Sequence, residues 1–138
     1  MNVTFTKARL ACPVGGLSDG TLHVADGVIA ASGDGDPIDL GGKLLAPAIV
    51  DLGVFATDKA ACASGGIARI GLMPDQSPVL DDPGIVQRAA EMGKPELWVL
   101  PIAAATRGLG GMDLAEIAIA AEAGARAVAT GRRWIADS

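Results

Sequence analysis

The chain has 138 residues, of which half are apolar and one fifth are charged, and its formal net charge is −5. This composition suffices for a buried core and argues against a disordered chain. The negative charge and the absence of a long basic run argue against nucleic-acid binding. The one adjacent basic pair, Arg132–Arg133, is expected in a solvated loop.

Residues 1–46 are predicted to form a small antiparallel β unit. Asp26–Gly27 separates two strand-like runs, at residues 21–25 and 28–32. An Asp-Gly pair between such runs predicts a tight hairpin turn, because both central residues of that turn need positive φ.

Two further strand signals lie in the same unit. Residues 3–7 alternate polar and apolar side chains, which is the period of a half-buried strand. Residues 38–40 and 43–45 flank Gly41–Gly42 and are predicted to add another strand pair joined by a turn.

The pattern changes after Pro47, and residues 47–138 are predicted to alternate strands with helices. Short apolar runs predict strands at residues 48–54, 67–73, 97–103 and 126–129. Helices are predicted at residues 58–63, 83–92 and 112–123. Asp82 and Pro83 suit the start of the second helix, and Gly124 suits the end of the third. This alternation favours parallel pairing with right-handed crossovers.

The predicted strands are too few for a closed barrel. A complete eight-stranded (β/α) barrel takes about 250 residues. Four strands would form only part of such a barrel and would leave an apolar edge that invites pairing with another chain.

Cysteine content and apolar patterning indicate a soluble, cytoplasmic protein. Cys12 and Cys62 form no Cys-x-x-Cys motif, so both are expected to be free, reduced thiols. Residues 1–7 lack the apolar core of a signal peptide. No apolar run reaches the roughly 18 residues needed to cross a bilayer, so no membrane association is expected.

Four stretches of the chain, in the right order, resemble dihydroorotases and their amidohydrolase relatives. They are ADGVIAASG at 25–33, GGKLLAPAIVD at 41–51, MPDQSPVLD at 73–81 and LPIAAATRGL at 100–109. The first two are shared widely among amidohydrolases, and the last two resemble dihydroorotases in particular. The resemblance implies an α/β fold in which a β-sandwich unit, residues 1–46, precedes the first four or so βα units of an incomplete TIM-type barrel, residues 47–138.

The resemblance also implies that the metal ligands of the family have been replaced. Active members hold zinc, whose bound hydroxide attacks the cyclic amide. Gly53 and Phe55 stand at the positions of the family's His-x-His pair. Thr130 and Gly131 stand where the family has two carboxylates. We therefore predict no metal ligand, no catalytic residue and no cofactor for this chain.

The substrate positions of the family differ as well. Thr57 aligns with the arginine that holds the substrate carboxylate, and Asp75 aligns with an asparagine that contacts the substrate. An aspartate there should repel an anionic dihydroorotate. Weak candidates for a remaining pocket are Asp51, Thr57, Asp75, Gln76, Thr106 and Arg107. Each also suits a structural role in a strand or loop, as does His23, the only histidine.

Three hypotheses about function follow. The resemblance favours a non-catalytic dihydroorotase-like protein of pyrimidine biosynthesis, because some family members without metal ligands are structural subunits of aspartate carbamoyltransferase. A longer parent protein could instead be an active zinc-dependent dihydroorotase that uses residues from later barrel strands. The chain could also be a fragment without a function of its own, in which case its open edge would favour self-association. Whether the protein is an enzyme is left open by the sequence.

Overall fold

The computed structural model describes residues 2–136 of the chain. These residues form two compact units that divide between Pro47 and Ala48. The first unit is a β-sheet, and the second is a parallel sheet with helices, so the predicted α/β fold class is confirmed. Within the described residues, no helix has the length and apolar character needed to cross a membrane.

The first unit is built on two long antiparallel strands. Its strands are β1 (Val3–Cys12), β2 (Gly16–Ala25), β3 (Val28–Ala30), β4 (Asp36–Asp39) and β5 (Leu44–Leu45). The strand order is β3-β2-β1-β4, with β5 also paired to β1. The predicted hairpin is confirmed, since β2 and β3 meet at Asp26 and Gly27, whose φ angles are 52° and 79°.

The predicted strand pair at residues 38–45 is wrong. β4 and β5 do not fold back on each other; both run parallel to β1, one after the other along the same edge. The link between them stays beside β1 because Leu40 donates its N–H to Thr6 O at 3.0 Å and Gly42 donates to Lys7 O at 2.8 Å. These bonds form where β1 bulges, at Lys7, whose φ is 50°.

The second unit is a parallel four-stranded sheet in the order β6-β7-β8-β9. Its strands are β6 (Ile49–Val54), β7 (Ile67–Leu72), β8 (Trp98–Ala104) and β9 (Ala127–Ala129). Its helices are α1 (Lys59–Ser64), α2 (Pro83–Glu91) and α3 (Ile117–Glu122), and Arg107–Leu109 forms a 3-10 turn. The four predicted strands and their parallel pairing are confirmed.

The core of the second unit lies between β7, β8 and α2. Ile70 and Val86 are fully buried there, and Leu72 and Leu97 are 1% exposed. Burying one such side chain contributes roughly 1.5–3 kcal/mol relative to leaving it in water. The packing therefore fixes β7 and β8 more firmly than β6, whose side chains are mostly exposed.

The third helix is shorter than predicted. The sequence predicted residues 112–123, but α3 begins only at Ile117. The preceding residues are held in an extended path, because Leu114 forms a β-bridge with Thr106 and Ala115 donates its N–H to Ala105 O at 3.0 Å. Tertiary hydrogen bonds thus override a local helical preference. Gly124, with φ of 109°, ends the helix region as predicted.

We predict that Asp82→Ala destabilises the second unit. The Asp82 carboxylate caps α2 by accepting hydrogen bonds from Gly84 N at 2.8 Å and Ile85 N at 3.3 Å. Loss of an N-cap costs about 1 kcal/mol. Urea unfolding should show that loss, whereas Asp113→Ala, which removes an exposed carboxylate with no hydrogen bond among the described residues, should change little. Equal stability of the two variants would contradict the capping role.

Candidate functional site

The carboxyl ends of the four parallel strands lie at one edge of the second unit. Two hydrogen bonds tie neighbouring strand ends together: Met73 donates its N–H to Val54 O at 2.8 Å, and Ala105 donates to Ala129 O at 2.9 Å. In open parallel sheets, ligands bind beyond this edge. Apart from Asp51, which lies within β6, the predicted pocket residues follow these strands, so topology gathers them at the same edge.

The two positions that the resemblance assigns to metal-binding histidines lie in and just after β6. Gly53 has no side chain, and its N–H donates to Asp51 Oδ1 at 3.1 Å. Phe55 follows the strand with an apolar ring that is 51% exposed. The guanidinium carbon of Arg132 lies 5.9 Å from the centroid of this ring. This distance is that of a cation–π contact.

These residues do not fit a zinc ion. Catalytic zinc takes three protein ligands from His, Asp, Glu or Cys side chains. Gly53 and Phe55 offer none, and neither does Gly131. The part of the chain that the structure describes contains no group of three such side chains that could hold a metal. The positive charge of Arg132 over Phe55 would also repel a divalent cation at this position.

Gln76 has a structural role at the strand edge. Its side-chain amide donates to Met73 O at 3.0 Å and to Phe55 O at 3.2 Å, and so joins the chain after β6 to the end of β7. Asp75, beside it, has one buried carboxylate oxygen, Oδ2, that finds no hydrogen-bond partner among residues 2–136. A buried acceptor without a partner costs free energy, so the hydrogen-bonding needs of Asp75 are met less fully than those of Gln76.

Thr106 and Arg107 have different surroundings although they are adjacent. Thr106 is 1% exposed, and its hydroxyl accepts a hydrogen bond from Gly111 N at 3.0 Å. Arg107 is exposed and donates from Nη2 to Glu116 Oε1 at 3.3 Å. Because the pair is exposed, it contributes little to stability. The structure thus places Thr106 in a loop-supporting role and leaves Arg107 at the surface.

An acidic groove of about 280 Å³ lies beside Arg107. Its lining also includes Asp81, Asp82 and Glu116. Asp81 Oδ2 accepts from Gly108 N at 2.6 Å, and Asp82 caps α2. The carboxylates of this groove therefore hold the local loops and helix start.

The other candidates are more dispersed. Asp51 is exposed, and its hydrogen bond to Gly53 N is a local turn contact. Thr57 is partly buried in the segment between β6 and α1. In the first unit, His23 Nδ1 lies 3.0 Å from Thr4 Oγ1, which is a strand-to-strand contact.

Neither cysteine forms a disulfide, as predicted. Cys62 is buried in α1 and Cys12 is exposed. Hydrogen bonds from the backbone of Gly15 and Val14 lower the pKa of the Cys12 thiol below its ordinary value.

In the segment after β9, the sequence marked Thr130 and Gly131 as family ligand positions but did not predict a site at residues 132–134. Thr130, Gly131, Arg132, Arg133 and Trp134 line a concavity of about 290 Å³. Both arginines are exposed, as a solvated loop requires, but Arg132 also lies over Phe55. The sequence feature that could have indicated this concavity is the adjacent basic pair Arg132–Arg133, which follows a predicted strand in a chain with net charge −5.

Comparison with known proteins finds similarity to the same proteins that the sequence motifs resemble. No protein-family model matches the chain. It is similar to the dihydroorotase of Geobacter sp. (strain M21), with 30% identity over 161 residues, and to the dihydroorotase-like protein of Pseudomonas aeruginosa, with 30% identity over 162 residues. Each match covers all of this chain, and the chain spans 38% of each relative.

A solved structure supports the fold. The L-hydantoinase (dihydropyrimidinase) from Arthrobacter aurescens matches with a TM-score of 0.73 and 22% identity. The match covers 91% of this chain and 32% of that enzyme. The two units described above therefore have the fold of the corresponding part of the hydantoinase.

We predict that Thr106→Val weakens the loop at Gly111. Valine keeps the size of the side chain but leaves the Gly111 N–H without its acceptor, at a cost of about 1–3 kcal/mol. Amide hydrogen exchange should show faster exchange at Gly111 in Thr106→Val. Thr106→Ser, which keeps the hydroxyl, should retain the protection. Unchanged exchange in the valine variant would show that the hydrogen bond does not hold this loop.

Proposed function

We propose, from the membership of this chain in the amidohydrolase superfamily as a dihydroorotase-like protein, that it serves pyrimidine biosynthesis without hydrolysing a cyclic amide itself. Its proposed role is that of a structural subunit, with aspartate carbamoyltransferase as the partner. The observation that carries the proposal is the contact of Arg132 with Phe55 at 5.9 Å. It puts an apolar ring and a fixed positive charge where the resemblance puts a metal-binding histidine.

The chemistry of the family explains why this contact matters. Zinc, when bound, supplies a hydroxide at neutral pH and polarises the amide carbonyl. In this chain, the glycine and phenylalanine of the first strand end cannot ligate it. The aspartate at position 75 adds a negative charge where an anionic substrate would bind. Binding of both metal and substrate is therefore disfavoured by separate residues.

The scaffold around these positions is intact, which supports a retained structural role. The hairpin at Asp26–Gly27, the parallel sheet and the α2 core all form. The similarity to relatives that are themselves named dihydroorotase-like proteins, in Pseudomonas aeruginosa and Pseudomonas putida, supports the same proposal.

A second candidate is an active zinc-dependent dihydroorotase in a longer protein. It is favoured by the name of other relatives, which are dihydroorotases, and by the fact that the chain spans only 38% of the first of them. In that case, metal ligands from other barrel strands would have to compensate for Gly53 and Phe55. Metal content and ring opening separate the two candidates.

We predict that the purified protein retains less than about a tenth of a zinc ion per chain and does not open the dihydroorotate ring, because its strand end lacks ligands. Elemental analysis and an assay of dihydroorotate hydrolysis are the measurements. One tightly held zinc per chain together with ring opening would overturn the non-catalytic proposal.

A matched pair of variants tests the cause. Gly53→His combined with Phe55→His restores two possible ligands but keeps the charge of Arg132. Adding Arg132→Gln removes that charge, so the triple variant should retain more zinc than the double variant. Equal retention would show that Arg132 does not oppose the metal.

We predict that the tagged protein, incubated with a lysate of its own source, captures aspartate carbamoyltransferase in a stoichiometric amount. The tag alone is the control. A second copy of this chain could also cover the open edge of the parallel sheet. Size-exclusion chromatography of the purified protein tests that self-association. Recovery of the tagged chain without the carbamoyltransferase would remove the partner from the proposal.

A further inference from the structure

The concavity after β9 has the chemistry of an anion site. Its lining, Thr130 to Trp134, carries two guanidinium groups, one hydroxyl and one indole, and no carboxylate. Its volume of about 290 Å³ is near the lower end of the range of small-molecule sites. Thr130 and Gly131 are positions where the resemblance puts carboxylates, whereas the substrate positions Thr57 and Asp75 do not line the concavity.

Among residues 2–136, the two arginines at this concavity form no ion pair. The ion pairs found among the described residues use Lys7, Lys59, Lys94 and Arg107. Arg132 and Arg133 take part in none of them, although acidic residues outnumber basic ones by sixteen to eleven. Two adjacent positive charges give this segment a local positive potential, which favours binding of an anion.

The backbone of the same segment supplies further donors. The N–H groups of residues 130–133 donate to no acceptor in the portion of the chain that the structure covers. Gly131 has a φ of 69°, which turns the chain through the left-handed region. Successive free N–H groups around such a residue form concavities that bind anions.

Phe55 orients the guanidinium of Arg132. The guanidinium carbon lies 5.9 Å from the ring centroid, within cation–π range, and the arginine is exposed, so its N–H donors can reach a ligand. The edge of a guanidinium matches the two oxygens of a carboxylate, with which arginine forms paired hydrogen bonds. An oriented side chain loses less conformational freedom when the ligand binds.

We propose that this concavity binds a small carboxylate-bearing anion, held by Arg132, Arg133 and the N–H groups of residues 130–133. The inference goes beyond the proposed subunit role. The ligand is bound and not transformed, since the lining has no carboxylate, histidine or cysteine that could act as a general base or activate the Thr130 hydroxyl. The side chain of Trp134, which also lines it, covers an apolar part of the ligand.

Isothermal titration calorimetry of the full chain with malonate at constant ionic strength tests the proposal. Malonate should bind saturably, and the neutral malonamide should not. The tryptophan emission of a Trp98→Phe variant gives a second signal, because Trp134 is then the only tryptophan. A saturable response to malonate in that variant places the ligand at the concavity.

Variants then assign the binding to the arginines. Arg132→Gln should weaken malonate binding about tenfold or more, as expected for loss of a charged hydrogen-bond donor. Arg132→Lys keeps the charge without the paired donors, so its affinity for malonate should lie between those of the unchanged chain and Arg132→Gln. Arg126→Gln removes the same charge from an exposed arginine outside the concavity and should stay within about twofold of the unchanged chain. Circular dichroism confirms that each variant is folded.

Three results would overturn the proposal: no saturable binding of malonate, equal binding of malonamide, or equal weakening by Arg126→Gln and Arg132→Gln. Binding of a tetraglutamate peptide without binding of malonate would also overturn it, because the carboxylate would then have to come from a protein partner. Malonate binding is measured without zinc and without the carbamoyltransferase. A negative result would therefore not bear on the proposed subunit role, which the capture experiment tests separately.

Discussion

Parallel pairing of β6 to β9 is the constraint on which the candidate site depends. The pairing brings the ends of four strands to one edge, although the residues that follow them are far apart in the chain. Hydrogen bonds between Met73 and Val54, and between Ala105 and Ala129, fix neighbouring strand ends to each other. The core between β7, β8 and α2 holds the sheet in place, because Ile70 and Val86 are removed from water completely.

The positions that the resemblance assigns to metal-binding histidines lie at this edge, and one of them makes a long-range contact. The guanidinium carbon of Arg132 lies 5.9 Å from the ring centroid of Phe55. A positive charge attracts anions and repels metal ions, so the charge of Arg132 beside Phe55 disfavours a metal ion there.

Other candidate residues turned out to support loops. Gln76 joins two strand ends through backbone carbonyls, and Thr106 binds the N–H of Gly111. Polar side chains lie at this edge because the loops there need hydrogen-bond partners in place of the regular pairing between strands. Their position alone does not separate loop support from ligand binding; their partners do.

The sequence predicted the hairpin and the main α/β elements well because their signals are local. Asp26–Gly27 needs positive φ at both residues, and Asp82–Pro83 caps and starts α2 within four residues. The order of strands and helices, together with the motif resemblance, was sufficient for the fold class. The resemblance also located Gly53 and Phe55 at the strand end, since that required only the spacing from Asp51.

Only the tertiary structure decided which distant groups meet. The pairing of β4 and β5 with β1, and the late start of α3, depend on hydrogen bonds to residues far away in the chain, which no local window contains. The contact of Arg132 with Phe55 joins the segment after the last strand to the end of the first strand of the sheet. Residue types and spacing determine local geometry and the side chains available at each strand end, whereas the position of the Arg132 charge beside Phe55 follows from long-range packing.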